Sequence, residues 1–264
     1  MMYKSNRQLK QEAKQALSGK WGIAVLMSLL TVIITYSFNV GNVESIAFTI
    51  TSLISSVLSI ILNVGFLSFF LKICCGQKES ANFSDLFYGF QCHPGKAILL
   101  YLLNVLYLLP GTFIYAILLV VLMFVTFANI SYTDLLSADI SPTQAVVFII
   151  AFLVLIILYI IYACYIQLTY GMVYYLLLDY PDLPVNQIWK RSAQLMKGNR
   201  WRKFKLELSF IPWMIACIFT LFIGYLWLGA YMNATFTEFY LDLVQQQACK
   251  NQTTLSGIDQ DTFQ

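Results

Sequence analysis

Long apolar runs alternate with short polar ones along this chain. The runs cover residues 22–38, 46–73, 97–128, 143–178, 206–223 and 225–241. None has the two-residue alternation of a barrel strand, and several reach the roughly 20 residues that cross a hydrocarbon layer of about 30 Å. The pattern predicts an all-α, polytopic transmembrane helical bundle of about six spans. Pro110-Gly111 falls at the middle of the third run. A proline there removes one backbone hydrogen bond and crowds the preceding turn, so it reads as a kink if 97–128 crosses once. The fourth run must tilt or project beyond the bilayer. The sixth is the weakest, with Glu238 and Asp242 near its end.

Three polar stretches ahead of runs share one plan: LKQEAKQALSGKWGIAVL from Leu9, FSDLFYGFQCHPGKAILL from Phe83 and IWKRSAQLMKGNRWRKFKL from Ile188. Each has a short segment, then glycine beside lysine or arginine, then apolar sequence. Leu9, Ala13, Ala16 and Leu17 recur at helical spacing, as do Ile188, Trp189, Ala193, Leu195 and Met196. Short amphipathic helices lying in the membrane interface are expected, with apolar faces in lipid and cations toward headgroups. Trp21, Trp189 and Trp201 fall at the expected headgroup level. GFLSFFL from Gly65 also echoes GMVYYLL from Gly171, which suggests a weak internal repeat of 65–120 in 171–225.

Composition fits this picture. Only 11% of the 264 residues are charged, 59% are hydrophobic, and the mean hydropathy is +0.71. A soluble domain carries about 25% charged residues. The net charge of +3 is small but unevenly spread. All but one of the 16 Lys and Arg residues fall before the first run, around the second loop (Lys72, Lys78, Lys96) or between 190 and 205. Loops 39–45 and 129–142 carry only Glu44, Asp134 and Asp139. Cations favour the cytoplasmic side. Strict alternation of basic and acidic loops therefore predicts a single crossing by 97–128 and both termini in the cytoplasm. Residues 1–244 form one integral membrane domain on this reading, and 245–264 a polar, disordered tail.

The densest basic segment, LMKGNRWRKFKLELSF (195–210), makes Lys197, Arg200, Trp201, Arg202 and Lys203 candidate contacts for anionic lipid headgroups. Each cation near an acidic leaflet is worth about 1 kcal/mol. Nucleic acid is disfavoured as a partner, because the cluster lies against the bilayer. The expected partners are the bilayer itself and a protein partner or second copy of the chain. Ser52, Ser56, Ser59 and Asn63 form one polar stripe on the second span, a candidate for close helix packing or a permeation path.

Catalytic and cofactor signals are weak. The single histidine, His93, stands beside Cys92, and the six cysteines form no CxxC pair. Metal binding normally takes three or four spaced ligands. No phosphate-cradling glycine loop, HExxH or GxSxG occurs. Glu207 and Glu238 are the only acids in the last two runs, and both are expected at the interface, Glu207 paired with Lys203. No metal, cofactor or catalytic residue is assigned. The expected role is non-enzymatic: transport-related, or an accessory membrane partner of another complex. Binding or movement of anionic lipid is the alternative, and an intramembrane enzyme the third reading.

LKQEAKQALSGKWG, SAQLMKGNRWRKFKLELSFIPW and GYLWLGAYMNATFTEFYLDL together resemble an uncharacterised bacterial multi-pass membrane family, domain of unknown function 975, found mainly in Gram-positive bacteria. The resemblance spans nearly the whole chain. It implies a bacterial plasma-membrane location and a single six-span-like domain, and it transfers no catalytic residue. The family often carries proline before the tyrosine of the last motif. Here Ala230 precedes Tyr231, so the resemblance brings no helix break there.

Overall fold

The computed structural model describes residues 3–37, 46–128, 142–220 and 223–261. Among these every regular element is helical. Glu44, Asp134 and Asp139, on which the acidic-loop argument rests, lie outside the described residues. Contacts divide the chain into two units, one of residues 1–101 with 171–264 and one of 102–170.

In the first unit, α1 (Asn6–Leu17) is amphipathic and begins at a capping box, with the Ser5 hydroxyl accepting from Gln8 N–H and the Gln8 side chain accepting from Ser5 N–H. It is followed by α2 (Trp21–Ser37), α3 (Ile46–Cys74), a 3-10 segment (Phe83–Phe87), the single turn α4 (Tyr88–Gln91) and the first part of α5 (Pro94–Ala128). Further along the chain come α7 (Val173–Asp179), α8 (Val185–Met196), α9 (Arg200–Leu208), α10 (Ile211–Phe219) and α11 (Gly224–Asp261). The core is built where α1, α2 and α11 meet α3, around Leu17, Met27, Leu62, Phe69, Phe70 and Ala234.

The interfacial placement of the amphipathic helices is corrected. Leu9, Ala13 and Leu17 are fully buried, and α1 packs on α11 and α3. Ile188, Trp189, Leu195 and Met196 are buried likewise, and α8 packs on α7 and α11. An apolar stripe looks the same in sequence whether lipid or protein covers it. Here protein does, and Trp189 is a core residue.

The first and third polar stretches do share one geometry. α1 ends in a type II turn, Leu17 to Lys20, with Ser18 at φ −58°, ψ 125° and Gly19 at φ +81°. α8 ends in the same turn, Met196 to Asn199, with Lys197 at φ −63°, ψ 118° and Gly198 at φ +84°. Lys20 N–H donates to Leu17 O at 2.9 Å and Asn199 N–H to Met196 O at 3.0 Å. Across the first turn the axes of α1 and α2 bend by 95°. The second stretch departs from the plan. His93 takes the left-handed position, at φ +47°, directly before Pro94 opens α5.

Glycine also permits the tightest packing of this unit. A Cβ on Gly65 of α3 would fall 1.9 Å from Leu86 O, and one on Gly89 of α4 would fall 2.0 Å from Ile61 O. The two backbones lie against each other with no side chain between.

The fifth and sixth apolar runs differ from the expectation of two continuous spans. Residues 206–223 are divided between the end of α9 and the nine-residue α10, with a break at Ser209-Phe210. Nine residues rise only about 14 Å. α11 is continuous through Ala230-Tyr231 but buries Thr235, Thr237, Glu238 and Asp242, and its helix runs on to Asp261 through the polar segment. Helices long and apolar enough to cross a membrane are Phe48–Cys74, Pro94–Thr126 and Ala145–Asp179, with the bent pair α1–α2 as a fourth if counted as one span.

The second unit pairs the rest of α5 with α6 (Pro142–Tyr170). α5 runs unbroken through Pro110. The Tyr162 hydroxyl donates to Tyr107 O at 2.5 Å, one residue past the carbonyl whose partner the proline removes. The Tyr162 ring covers Gly111, where a Cβ would sit 2.1 Å from it. Tyr115 and Tyr159 meet at 5.2 Å. Elsewhere the apolar side chains face outward, with Phe124 73% and Phe113 64% exposed.

Candidate functional site: the basic face of the first unit

The basic segments meet because their lysines donate to backbone carbonyls of one another's segments. Lys20 Nζ reaches Ala81 O at 3.0 Å, Lys78 reaches Gln15 O at 2.7 Å, and Lys10 reaches Ser209 O at 3.1 Å. Lys96 bonds Pro181 O at 2.5 Å and Leu183 O at 3.3 Å. Lys72 pairs with the buried Asp85 at 2.6 Å. Burial holds the Lys10 ammonium below the ordinary lysine range, and it lies 4.1 Å from the centre of the Phe210 ring.

Arg202 is the centre of this face. Its Nη2 donates to Asp242 Oδ2 at 2.5 Å and to Lys4 O at 2.7 Å, and its guanidinium lies 4.7 Å from the Tyr3 ring centre and 5.0 Å from that of Phe239. Lys4 pairs with Glu12 at 2.7 Å. Glu238 and Asp242, expected at the interface, are instead buried in this network at 6% and 2% exposure. Their i, i+4 spacing on α11 presents both to the elements packed there.

The five candidate headgroup residues are split. Lys197 and Trp201 are exposed and Arg200 is half-buried. Arg202 is engaged with Asp242, and Lys203 is buried, 3.5 Å from Glu207. Burial pushes the Lys203 ammonium below its ordinary range, and the Glu207 carboxylate opposes that in part. The stripe on α3 lies at an open surface: Ser56 and Asn63 are exposed, Ser52 and Ser59 half-buried. The Ser52 and Ser56 hydroxyls bond back to carbonyls of their own helix, Thr49 O at 2.9 Å and Ser52 O at 2.8 Å. Cys92 and Cys217 are buried, whereas Cys75 and Cys164 are exposed.

Two features were not foreseen. A cavity of 390 Å³ opens between α2, α10 and α11, walled by Trp21, Trp213, Trp227, Cys217, Leu228 and Tyr231. A cleft runs between α8 and α11, with hollows of 390 and 240 Å³ that share Gln194 and Gln247. The cleft had a signal in the sequence. Gln187, Lys190, Arg191 and Gln194 recur at i, i+3, i+4 and i+7, the face of α8 opposite its buried one.

A basic, all-helical unit combined with long apolar helices fits a membrane protein. The chain matches, over residues 1–247, the family described as protein of unknown function (DUF975), and it belongs to that family. No curated protein and no solved structure matches it.

Proposed function

We propose that this protein is a multi-pass component of the bacterial plasma membrane with both termini cytoplasmic. Its role is non-catalytic, as a transport-related protein or an accessory partner of another membrane complex. The observation that carries the reading is the tying together of the N-terminal segment, loop 75–82 and segment 197–209 by lysine–carbonyl bonds. Segments that share hydrogen bonds lie on one side of a membrane, and these are the segments richest in cations. The charge-free hairpin 102–128 and 142–170, apolar on its outward faces, supports a role met through lipid and helix contacts.

A variant retaining only Cys75, which is exposed beside the basic face, tests the orientation. A membrane-impermeant maleimide should label it in inside-out vesicles and leave it untouched in intact cells. Labelling of intact cells would overturn the topology. Native mass spectrometry of protein released in mild detergent tests the accessory role, which a bare single chain would remove.

The second reading is lipid handling, and the tryptophan-walled cavity favours it. Its lining is apolar, and Trp21, on that wall, directly follows Lys20 of the basic face. Retained lipid in the same spectra, displaced by Ala216→Phe in the cavity wall, would put this reading first.

A further inference from the structure

We propose that the cleft between α8 and α11 is a binding site for a phosphate-bearing anion. Lys190 and Arg191 line its larger hollow and Lys197 its smaller one, and no carboxylate lines either. Eight other cations of this unit are held internally, whereas Arg7, Lys14 and Lys205 are exposed at its surface and line neither hollow. Lys10, Lys20, Lys78 and Lys96 donate to carbonyls, while Lys4, Lys72, Arg202 and Lys203 pair with carboxylates. The three cleft cations have no such partner among the described residues.

Their setting favours an oxyanion. The Arg191 guanidinium lies 4.1 Å from the centre of the Tyr180 ring. Stacking on an aromatic face fixes the guanidinium plane and leaves its N–H edge for a bidentate acceptor. Gln194 and Gln247 stand where the two hollows join, one on each wall, and their amides can donate to further oxygens. A phosphate group offers several acceptor oxygens and up to two negative charges, so it can meet an arginine fork, lysines and amides together. The smaller hollow is walled mainly by polar surface, which suits a ligand that is polar beyond its phosphate, while the larger one also offers apolar side-chain stems. A soluble phosphorylated molecule and a phospholipid headgroup share this chemistry. The proposal goes beyond the accessory role and does not depend on the topology.

The test uses the full-length protein. In one arm, protein in detergent micelles is titrated with sodium pyrophosphate at constant ionic strength. In the other, it is placed in nanodiscs of phosphatidylcholine with or without phosphatidylglycerol. The readout is the thermal unfolding midpoint, which rises when a ligand binds the folded state alone. Pyrophosphate should raise it by a few degrees. The variant Lys190→Gln/Arg191→Gln/Lys197→Gln should lose the shift, and Lys14→Gln/Lys205→Gln, two exposed lysines outside the cleft, should keep it. A shift with phosphatidylglycerol alone, lost in the triple variant, supports the site and names the headgroup as the source. No shift in either arm, or an equal loss in the control variant, overturns it. Should the triple variant unfold without ligand, Lys197→Gln alone, at an exposed turn, must weaken apparent pyrophosphate binding several-fold.

Discussion

At Gly65 the hydrogen that replaces a side chain decides whether α3 can touch the chain at Leu86. Gly65→Ala forces backbone against backbone, and overpacking of this kind costs about 1–3 kcal/mol. Gly95→Ala meets nothing within 4 Å and should be neutral or mildly stabilising. Thermal unfolding of the two variants in micelles separates the cases. Lys203 gives a prediction of opposite sign. Burial keeps its folded-state affinity for a proton below that of the unfolded chain. Its contribution to stability is therefore greatest above the ordinary lysine range and is lost as pH falls below it. Lys203→Met should raise the midpoint at pH 7, by about 1 kcal/mol in stability, with Glu207 left partly solvated. The gain should shrink toward pH 10.5, and an equal gain at both pH values would contradict the burial argument.

Among elements, α1 and α8 show what periodicity can and cannot reveal. Their helical spacing, their ends and the glycine that follows each were all legible in sequence. What covers the apolar stripe was not, because a lipid surface and a protein groove select the same residues. The 206–223 run misled for a related reason. Mean apolarity carries no record of the break at Ser209-Phe210, but Pro212 does: it stands in the first turn of α10 and has no N–H for the Leu208 carbonyl, so α9 ends there. The shared turn can be tested directly. Gly19→Ala and Gly198→Ala each place a side chain at φ above +80° and should each destabilise by about 1–2 kcal/mol, although no neighbouring atom is crowded. Asparagine at either position should be tolerated better than alanine.

For the molecule as a whole, the charge pattern was readable and its use was not. The sequence marks the basic segments. It cannot show that Arg202 meets Asp242, because the two stand 40 positions apart and meet only in the folded chain. Nor could it separate cations held by the protein, such as Lys203, from those facing the cleft, such as Lys190. Asp242→Asn leaves the Arg202 guanidinium buried beside a neutral group and should cost about 3–5 kcal/mol. Combining it with Arg202→Met should recover part of that loss in a double-mutant cycle of unfolding midpoints.

The packing of α1 on α11 also constrains how the chain is made. α1 is made well before α11, and the fully buried Leu9, Ala13 and Leu17 have their full cover only once both exist. Through most of synthesis this helix must therefore rest against lipid or a chaperone, as its amphipathic sequence allows. Synthesis of α11 is then what moves it from a temporary surface to its permanent one. A nascent chain stalled before Gly224 would leave α1 open to protease, and a chain extended through α11 would close it.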